Sequence, residues 1–330
     1  MAEDFRALVV DKNDSGIQAS IRRLTDVDLM PGDVDVRVEY STVNYKDGLA
    51  VMGRPGVIRK YPLIPGIDLA GTVTASRNGA YKVGDQVLVN GWGLGETHHG
   101  GFAERARLEA AWLTRVPNNM TARDTMAVGT AGYTAALCVL ELIAQSVIPA
   151  SGPIIVTGAA GGVGSVAIVL LASHGYHVIA LTGRPEEGDY LRDLGAKEIM
   201  PRAELEVDVK SLAKERFAGA VDSVGSKILA NILSMTKAGG TVTACGLAAG
   251  IDLPATVAPF ILRGVRLSGI NSVYEPAAKR EKAWAMIAQH LNRAKLAEMT
   301  QEIALEGVAA VAKNILAGKV RGRTVVKLSA

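Results

Sequence analysis

Glycines at positions 161, 162 and 164 follow the β-branched run Ile154-Ile155-Val156-Thr157 and precede an apolar stretch from Ser165 to Ser173. Through Gly158-Ala159-Ala160-Gly161-Gly162-Val163-Gly164 a strand must turn sharply, present its backbone N–H groups at close range and start a helix. The positive end of that helix favours an anion, so the arrangement suits the cradling of a pyrophosphate. Read from Ala159 the pattern is A-x-G-x-x-G, a short match that gains specificity from the strand before it and the helix after it.

The next apolar run, Tyr176 to Thr182, ends where the adenosine ribose of a dinucleotide falls. A site for NAD places Asp or Glu there to accept the ribose 2′-OH. This chain reads Leu181-Thr182-Gly183-Arg184, with no carboxylate before Glu186. A guanidinium with a hydroxyl and a glycine N–H beside it suits a 2′-phosphate, so Thr182, Gly183 and Arg184 point to NADPH. The alternative for Arg184 is an ordinary solvated loop cation.

Positioning these groups takes a sheet with helices on it. From Thr130 onward an apolar helix (Ala131 to Ile143) precedes strand 154–157, helix 165–174, strand 177–182, helix 187–194 and strand 197–200. Ala218 to Val221, a helix over Lys227 to Met235, Gly240 to Gly246 and Val265 to Gly269 continue the alternation. Such βα units predict an α/β fold with a Rossmann-type doubly wound parallel sheet. The first 125 residues hold short alternating runs (Val34 to Tyr40, Gly71 to Ala75, Gln86 to Val89) between Gly, Pro and Asn, as in a compact β-rich domain. The tail changes texture again. Helices around Ala277 to Leu291 and Gly307 to Leu316 and a strand Thr324 to Leu328 are expected to return to the first domain. The expected division is therefore 1–125 with 275–330, against 126–274.

With 330 residues, 48% hydrophobic and 21% charged, the chain reads as a globular protein of two domains. A net charge of +3 indicates neither nucleic acid nor an anionic membrane surface as partner. The start Met-Ala-Glu-Asp-Phe-Arg lacks a basic segment followed by an apolar core, and no run approaches the roughly 20 apolar residues of a membrane span. A cytoplasmic location is the expectation. Cys138 and Cys245 are too few and too far apart for a disulfide framework or a cysteine-rich zinc site, and are read as buried, inert thiols.

A β-rich start, a central A-x-G-x-x-G domain and a C-terminal return together resemble the medium-chain dehydrogenase/reductase superfamily over the whole chain. Val43-Asn44-Tyr45-Lys46-Asp47, Pro65-Gly66-Ile67-Asp68-Leu69-Ala70-Gly71, Val83-Gly84-Asp85-Gln86-Val87 and Gly129-Thr130-Ala131-Gly132-Tyr133-Thr134-Ala135 look like its zinc-free quinone-oxidoreductase branch. The segments Asn90 to Gly101, Thr182-Gly183-Arg184 and Val320-Arg321-Gly322-Arg323-Thr324 are similar to the YhdH/YhfP type, which includes bacterial acrylyl-CoA reductases. The resemblance implies that the β-rich part is a GroES-like catalytic domain.

Zinc-dependent relatives carry a ligating Cys at or beside the position of Tyr45, and Gly-His-Glu where this chain has Gly66-Ile67-Asp68. Ile67 cannot bind zinc, and the adjacent His98 and His99 have no further ligand near them in sequence, so no metal is expected. Loop solvation or a substrate contact is the reading of those two histidines. Without a metal, hydride transfer fits an alkene conjugated to a carbonyl. The resemblance implies an NADPH-dependent reduction of a short enoyl-CoA, acrylyl-CoA to propionyl-CoA. A quinone reductase and a non-catalytic NADPH-binding regulator are the alternatives.

By the same resemblance Asn44, Tyr45, Asp47, Asp68 and Arg323 line the active cleft, with Tyr45 a donor or cofactor contact and Asp47 and Asp68 holding Arg323 or a water. Asp47 could equally brace a turn. Arg202, Leu247 and Ser272 join the cofactor contacts, although Arg202 could simply solvate its loop. Arg54, Arg59 and Lys60 could meet coenzyme A phosphates or be solvated. A homodimer formed through Gly240 to Ser272 is likewise implied.

Overall fold

The computed structural model describes residues 4–14 and 16–329, so the first three residues of the start discussed above lie outside it. The chain folds as two compact units, Met1–Thr130 with Ser272–Glu281 and Leu296–Ala330 in one, and Ala131–Asn271 with Lys282–Lys295 in the other. Against the expected division, residues 282–295 pack in the second unit, where the Trp284 ring lies parallel to Tyr133 with centroids 6.4 Å apart.

The first unit opens with an antiparallel hairpin of β1 (Phe5–Asn13) and β2 (Gly16–Leu24). Strands β3 (Val34–Thr42), β4 (Asp68–Ser76), β5 (Gln86–Asn90), β6 (Arg105–Leu108) and β7 (Thr114–Arg115) follow, with helix α1 (Tyr45–Val51) after β3. Along β3, Val34, Val36 and Val38 are buried and Arg37 is exposed, the period of two that seats one face on a core. That core gathers Phe5, Leu8, Val36, Leu69, Phe102 and Val326.

Helix α2 (Ala122–Ala144) leads into the second unit. Among the described residues it is the one helix long and apolar enough to cross a membrane, which corrects the expectation that no run approaches such a span. Most of it is buried inside the protein, as in a core helix. It is also interrupted at Gly129, whose backbone (φ 53°, ψ −165°) is not helical.

In the second unit β8 (Ile154–Val156), β9 (Val178–Thr182), β10 (Glu198–Pro201), β11 (Phe217–Asp222), β12 (Thr236–Ala244) and β13 (Arg266–Gly269) form a parallel sheet of order β10-β9-β8-β11-β12-β13. Helices α3 (Gly162–Ser173), α4 (Gly188–Leu194), α5 (Ser226–Met235) and α6 (Ala258–Arg263) connect or flank these strands. Strands β8, β9 and β11 are buried throughout, which their nearly unbroken apolar sequence requires. The strand order reverses between β8 and β11, so a crevice opens at the carboxyl ends of those two strands.

Helices α7 (Ala277–His290), α8 (Arg293–Glu298) and α9 (Val308–Leu316), with β14 (Thr300–Ala304) and β15 (Arg323–Lys327), complete the chain. Strand β15 joins the first unit's sheet between β14 and β3, in the order β14-β15-β3-β4-β5-β7 with β6 also on β3. Helix α9 lies so close to α1 that a Cβ on Gly48 would come within 2.8 Å of Ile315.

Candidate active site

In the second unit the glycine turn sits at the end of β8, beside the reversal of strand order. Gly161 caps α3 with no side-chain bond to its first turn, so the leading N–H groups of α3, on Gly162, Val163 and Gly164, lie where a helix has no internal acceptor for them. A Cβ on Gly164 would stand 2.5 Å from the Gly158 carbonyl oxygen and 2.6 Å from the Ala159 Cα, so only glycine lets the helix pack on the turn. This is a cradle shaped for a pyrophosphate.

The floor beside it is a polar network that sequence reasoning missed. Thr157 donates its hydroxyl to Asp222 Oδ1 at 2.8 Å and accepts the Ser223 N–H at 3.0 Å, while Gly225 N–H donates to Asp222 Oδ2 at 2.9 Å. Burial raises the Asp222 carboxyl above its ordinary value, against these hydrogen bonds. The signal in the sequence is Val221-Asp222-Ser223-Val224-Gly225, a second strand running into a glycine.

At the end of β9, the Thr182 hydroxyl accepts the Arg184 N–H at 3.0 Å and so braces the turn. The Arg184 guanidinium reaches back towards the cradle, donating to the Ala160 carbonyl at 3.4 Å, and pairs with Glu187 at 3.3 Å. Arg202, half-exposed and paired with Glu206 at 3.0 Å, covers Gly183 closely enough that a Cβ there would meet its guanidinium carbon at 3.0 Å. Arg202 over Gly183 and Arg184 in the same turn thus put two cations at the end of β9, an arrangement that fits a ribose phosphate. Leu247 is exposed just past the end of β12. Ser272 belongs to the first unit, where its carbonyl accepts from Arg280 at 3.3 Å.

In the first unit Asn44, Asp47, Asp68 and Arg323 come together. Asn44 caps α1; its N–H donates to Asp47 Oδ2 at 2.8 Å, and Ile67 N–H donates to Asp47 Oδ1 at 2.9 Å. The Asn44 amide nitrogen donates to Asp68 Oδ2 at 3.0 Å and to Asp47 Oδ2 at 3.2 Å, while its oxygen accepts from Arg323 at 3.2 Å. Arg323 also donates to the Ala127 carbonyl at 2.9 Å and the Thr42 hydroxyl at 3.0 Å, and Thr130 N–H donates to Asp68 Oδ2 at 2.7 Å. The break in α2 makes the last two elements available. A continuous helix would engage the Ala127 carbonyl and the Thr130 N–H internally. A Cβ on Gly129 would lie 2.5 Å from the Arg323 guanidinium and 3.0 Å from Asp68 Oδ2.

This cluster corrects the expectation that all five residues line a cleft. Asn44, Asp47, Asp68 and Arg323 are buried, and Tyr45, 43% exposed at the first position of α1, is the accessible member. His98 and His99 are corrected as well: they are not solvated loop residues. The His98 ring is buried, bonded to the Pro31 and His99 carbonyls and edge-on to Trp112, while His99 Nδ1 accepts the Ile64 N–H at 3.2 Å. Cys138 is buried. The Cys245 thiol donates to the Asp222 carbonyl at 3.2 Å and is raised well above its usual value by its hydrogen bond with Cys138 and then by burial, as for an unreactive thiol.

Burial pushes Asp47 up to about 7, and burial raises Asp68 as well. Burial lowers Arg323, while the two carboxylates support its charge. Asp47 titrates near 3.8 when unfolded, so between that value and about 7 the folded chain binds a proton that the unfolded chain has released. The pair's contribution to stability is therefore full below the ordinary carboxylate value and is lost as pH rises through about 7, a loss on the order of 4 kcal/mol. Urea midpoints of the wild type should fall from about pH 5 to about pH 8 relative to those of Asp47→Asn, which lacks the titrating carboxyl. Parallel profiles for the two proteins would contradict this.

Among the described residues no group of three or more His, Cys, Asp and Glu side chains is placed to hold a metal ion. Residues 30–118 match the alcohol dehydrogenase GroES-like domain and 162–289 the zinc-binding dehydrogenase family. The chain is 50% identical to the acrylyl-CoA reductase AcuI of Ruegeria pomeroyi, across 99% of this chain and all of that one. It is 41% identical to the putative quinone oxidoreductase YhfP of Bacillus subtilis, across 99% of this chain and all of that one. The YhdH oxidoreductase of Salmonella enterica, solved in complex with NADP, superposes with a TM-score of 0.97 at 46% identity, covering 98% of this chain and all of that one. The chain belongs to the medium-chain dehydrogenase/reductase superfamily, in the group that holds AcuI, YhdH and YhfP.

Proposed function

We propose that the chain is an NADPH-dependent, metal-independent reductase of the α,β double bond of a short enoyl-CoA, with acrylyl-CoA its substrate and propionyl-CoA its product. The observation that carries this is full-length identity of 50% to an acrylyl-CoA reductase, joined to a nucleotide turn that ends in Arg184 with Arg202 over Gly183. When bound, NADPH supplies the hydride that reaches the β-carbon. Gly161 to Gly164 hold its pyrophosphate through backbone N–H groups, and Arg184 and Arg202 take the 2′-phosphate, with phosphate oxygens replacing Glu187 and Glu206 as acceptors.

Tyr45 donates its hydroxyl to the thioester oxygen as negative charge develops there. Asn44, Asp47, Asp68 and Arg323 act behind it: they fix the start of α1 and hence the Tyr45 backbone, so they are positioning residues. The exposed Arg54, Arg59 and Lys60 supply cations for coenzyme A phosphates. Quinone reduction is the second reading, favoured by the name of YhfP. NADPH oxidation with acrylyl-CoA, crotonyl-CoA and a benzoquinone separates the two, before and after dialysis against a strong chelator. Turnover of acrylyl-CoA, unchanged by the chelator, is expected. Preference for the quinone, or zinc lost together with activity, would refute the reading.

Ile251, Leu253, Val257, Ile261 and Leu262 expose a run of apolar side chains leading to β13, the edge of the parallel sheet. An edge strand flanked by exposed apolar groups suits pairing with a second copy of the chain. We assign this face to a homodimer contact, and a monomer in sedimentation at micromolar concentration would exclude it.

A further inference from the structure

Two buried side-chain oxygens beside the Asn44 network have no hydrogen-bond donor among the described residues, Oδ1 of Asp68 and Oδ1 of Asn90. They are neighbours. Asp68 and Asn90 stand directly opposite each other across β4 and β5, which puts their side chains on one face of the sheet. Thr130 touches both, its N–H donating to Asp68 Oδ2 at 2.7 Å and its hydroxyl accepting from Asn90 Nδ2 at 3.4 Å. Bare acceptors held away from water are costly, and one proton shared between these two satisfies both.

The surrounding charges point the same way. Asp47 from the start of α1 and Arg323 from β15 are the charged groups of this cluster; Thr42, Asn44, Asn90 and Thr130 are neutral. One guanidinium balances one carboxylate, so a second would be uncompensated. Asp47 receives N–H donors on both of its oxygens, whereas Asp68 receives Thr130 and Asn44 on Oδ2 alone. The oxygen left for a proton is Oδ1 of Asp68.

We propose that Asp68 is a neutral carboxylic acid at neutral pH, donating its Oδ1–H to Oδ1 of Asn90, and that Asn90 is a positioning residue of the site. By fixing Asp68, Asn90 fixes the Asn44 side chain and the start of α1 that carries Tyr45. Its kinetic consequence rests on the reductase reading; the protonation state does not.

Infrared difference spectroscopy on the full chain without cofactor, with carboxyl-¹³C aspartate to identify the band, reads the acid directly. At about pH 8, above the Asp47 titration, the wild type should show one protonated carboxyl band, lost in Asp68→Asn, kept in Asp47→Asn and moved to higher frequency in Asn90→Leu, which has no acceptor. Asp68→Asn should keep the wild-type melting temperature, because its amide N–H takes the place of the acid O–H. In NADPH turnover with acrylyl-CoA, the alkaline limb of kcat/KM should move down by about one pH unit in Asn90→Leu. A wild type without the band, a band lost in Asp47→Asn instead, or one indifferent to Asn90 would overturn the proposal. If Asn90→Leu does not fold, the wild-type and Asp68→Asn spectra still decide it. Failure to reduce acrylyl-CoA would strike the reductase reading and leave the spectra to decide the protonation.

Discussion

Replacing Arg323 by Met lowers the stability of the chain by about 3 to 5 kcal/mol, the range for breaking a buried ion pair from one side. The guanidinium is buried, and its removal leaves the Asp47 and Asp68 pair without a counter-charge. The Ala127 carbonyl, Thr42 hydroxyl and Asn44 oxygen also lose the donor they now share. Adding Asp47→Asn, which neutralises the charge left behind, recovers part of the loss. In a double-mutant cycle the combined effect should fall short of the sum by roughly 0.5 to 3 kcal/mol. Urea unfolding of the four proteins checks this, and fully additive losses would show that the two side chains do not act as one unit.

Replacing Arg184 by Ala should weaken NADPH by roughly ten- to a hundredfold and NADH far less, because only NADPH offers the 2′-phosphate. That corresponds to about 1.5 to 3 kcal/mol, the scale of a hydrogen bond to a charged group. Arg184 already leans towards the cradle through the Ala160 carbonyl, and its present acceptor Glu187 is one a phosphate can displace. Titration of both cofactors by fluorescence measures the ratio directly. Equal losses for both would make Arg184 a support of the turn and no reader of the phosphate.

The central strands of the second unit are legible in the sequence because β8, β9 and β11 are buried throughout and so carry nearly unbroken apolar runs. Strand 154–157 and helix 165–174 differ from β8 and α3 mainly at the helix start, where Gly162, Val163 and Gly164 are already helical. Glycine carries no helical signal of its own, so that boundary is hidden. Other elements lack a pattern to read. Strand β2 is mostly exposed and polar, and it exists because β1 offers it a partner along its whole length. Helix α1 is short, and its stability comes from the Asn44 and Asp47 cap.

The resemblance names the residues of the buried cluster, but their accessibility is invisible to sequence. Nothing local to Arg323 says that its guanidinium is sealed in by a carbonyl freed at Gly129, nearly two hundred positions earlier. Asn90 carries no local mark either. Its place opposite Asp68 follows from the register of β4 and β5.

The central claim is that hydride goes to the β-carbon of an enoyl thioester and a proton to its α-carbon, and isotope placement tests it most directly. Acrylyl-CoA reduced by this chain with NADPH deuterated at the transferable nicotinamide position should give propionyl-CoA with one deuterium on the β-carbon. Unlabelled NADPH in deuterated water should place one on the α-carbon instead. Consumption of NADPH without propionyl-CoA, or nicotinamide-derived label on the α-carbon, would contradict the account.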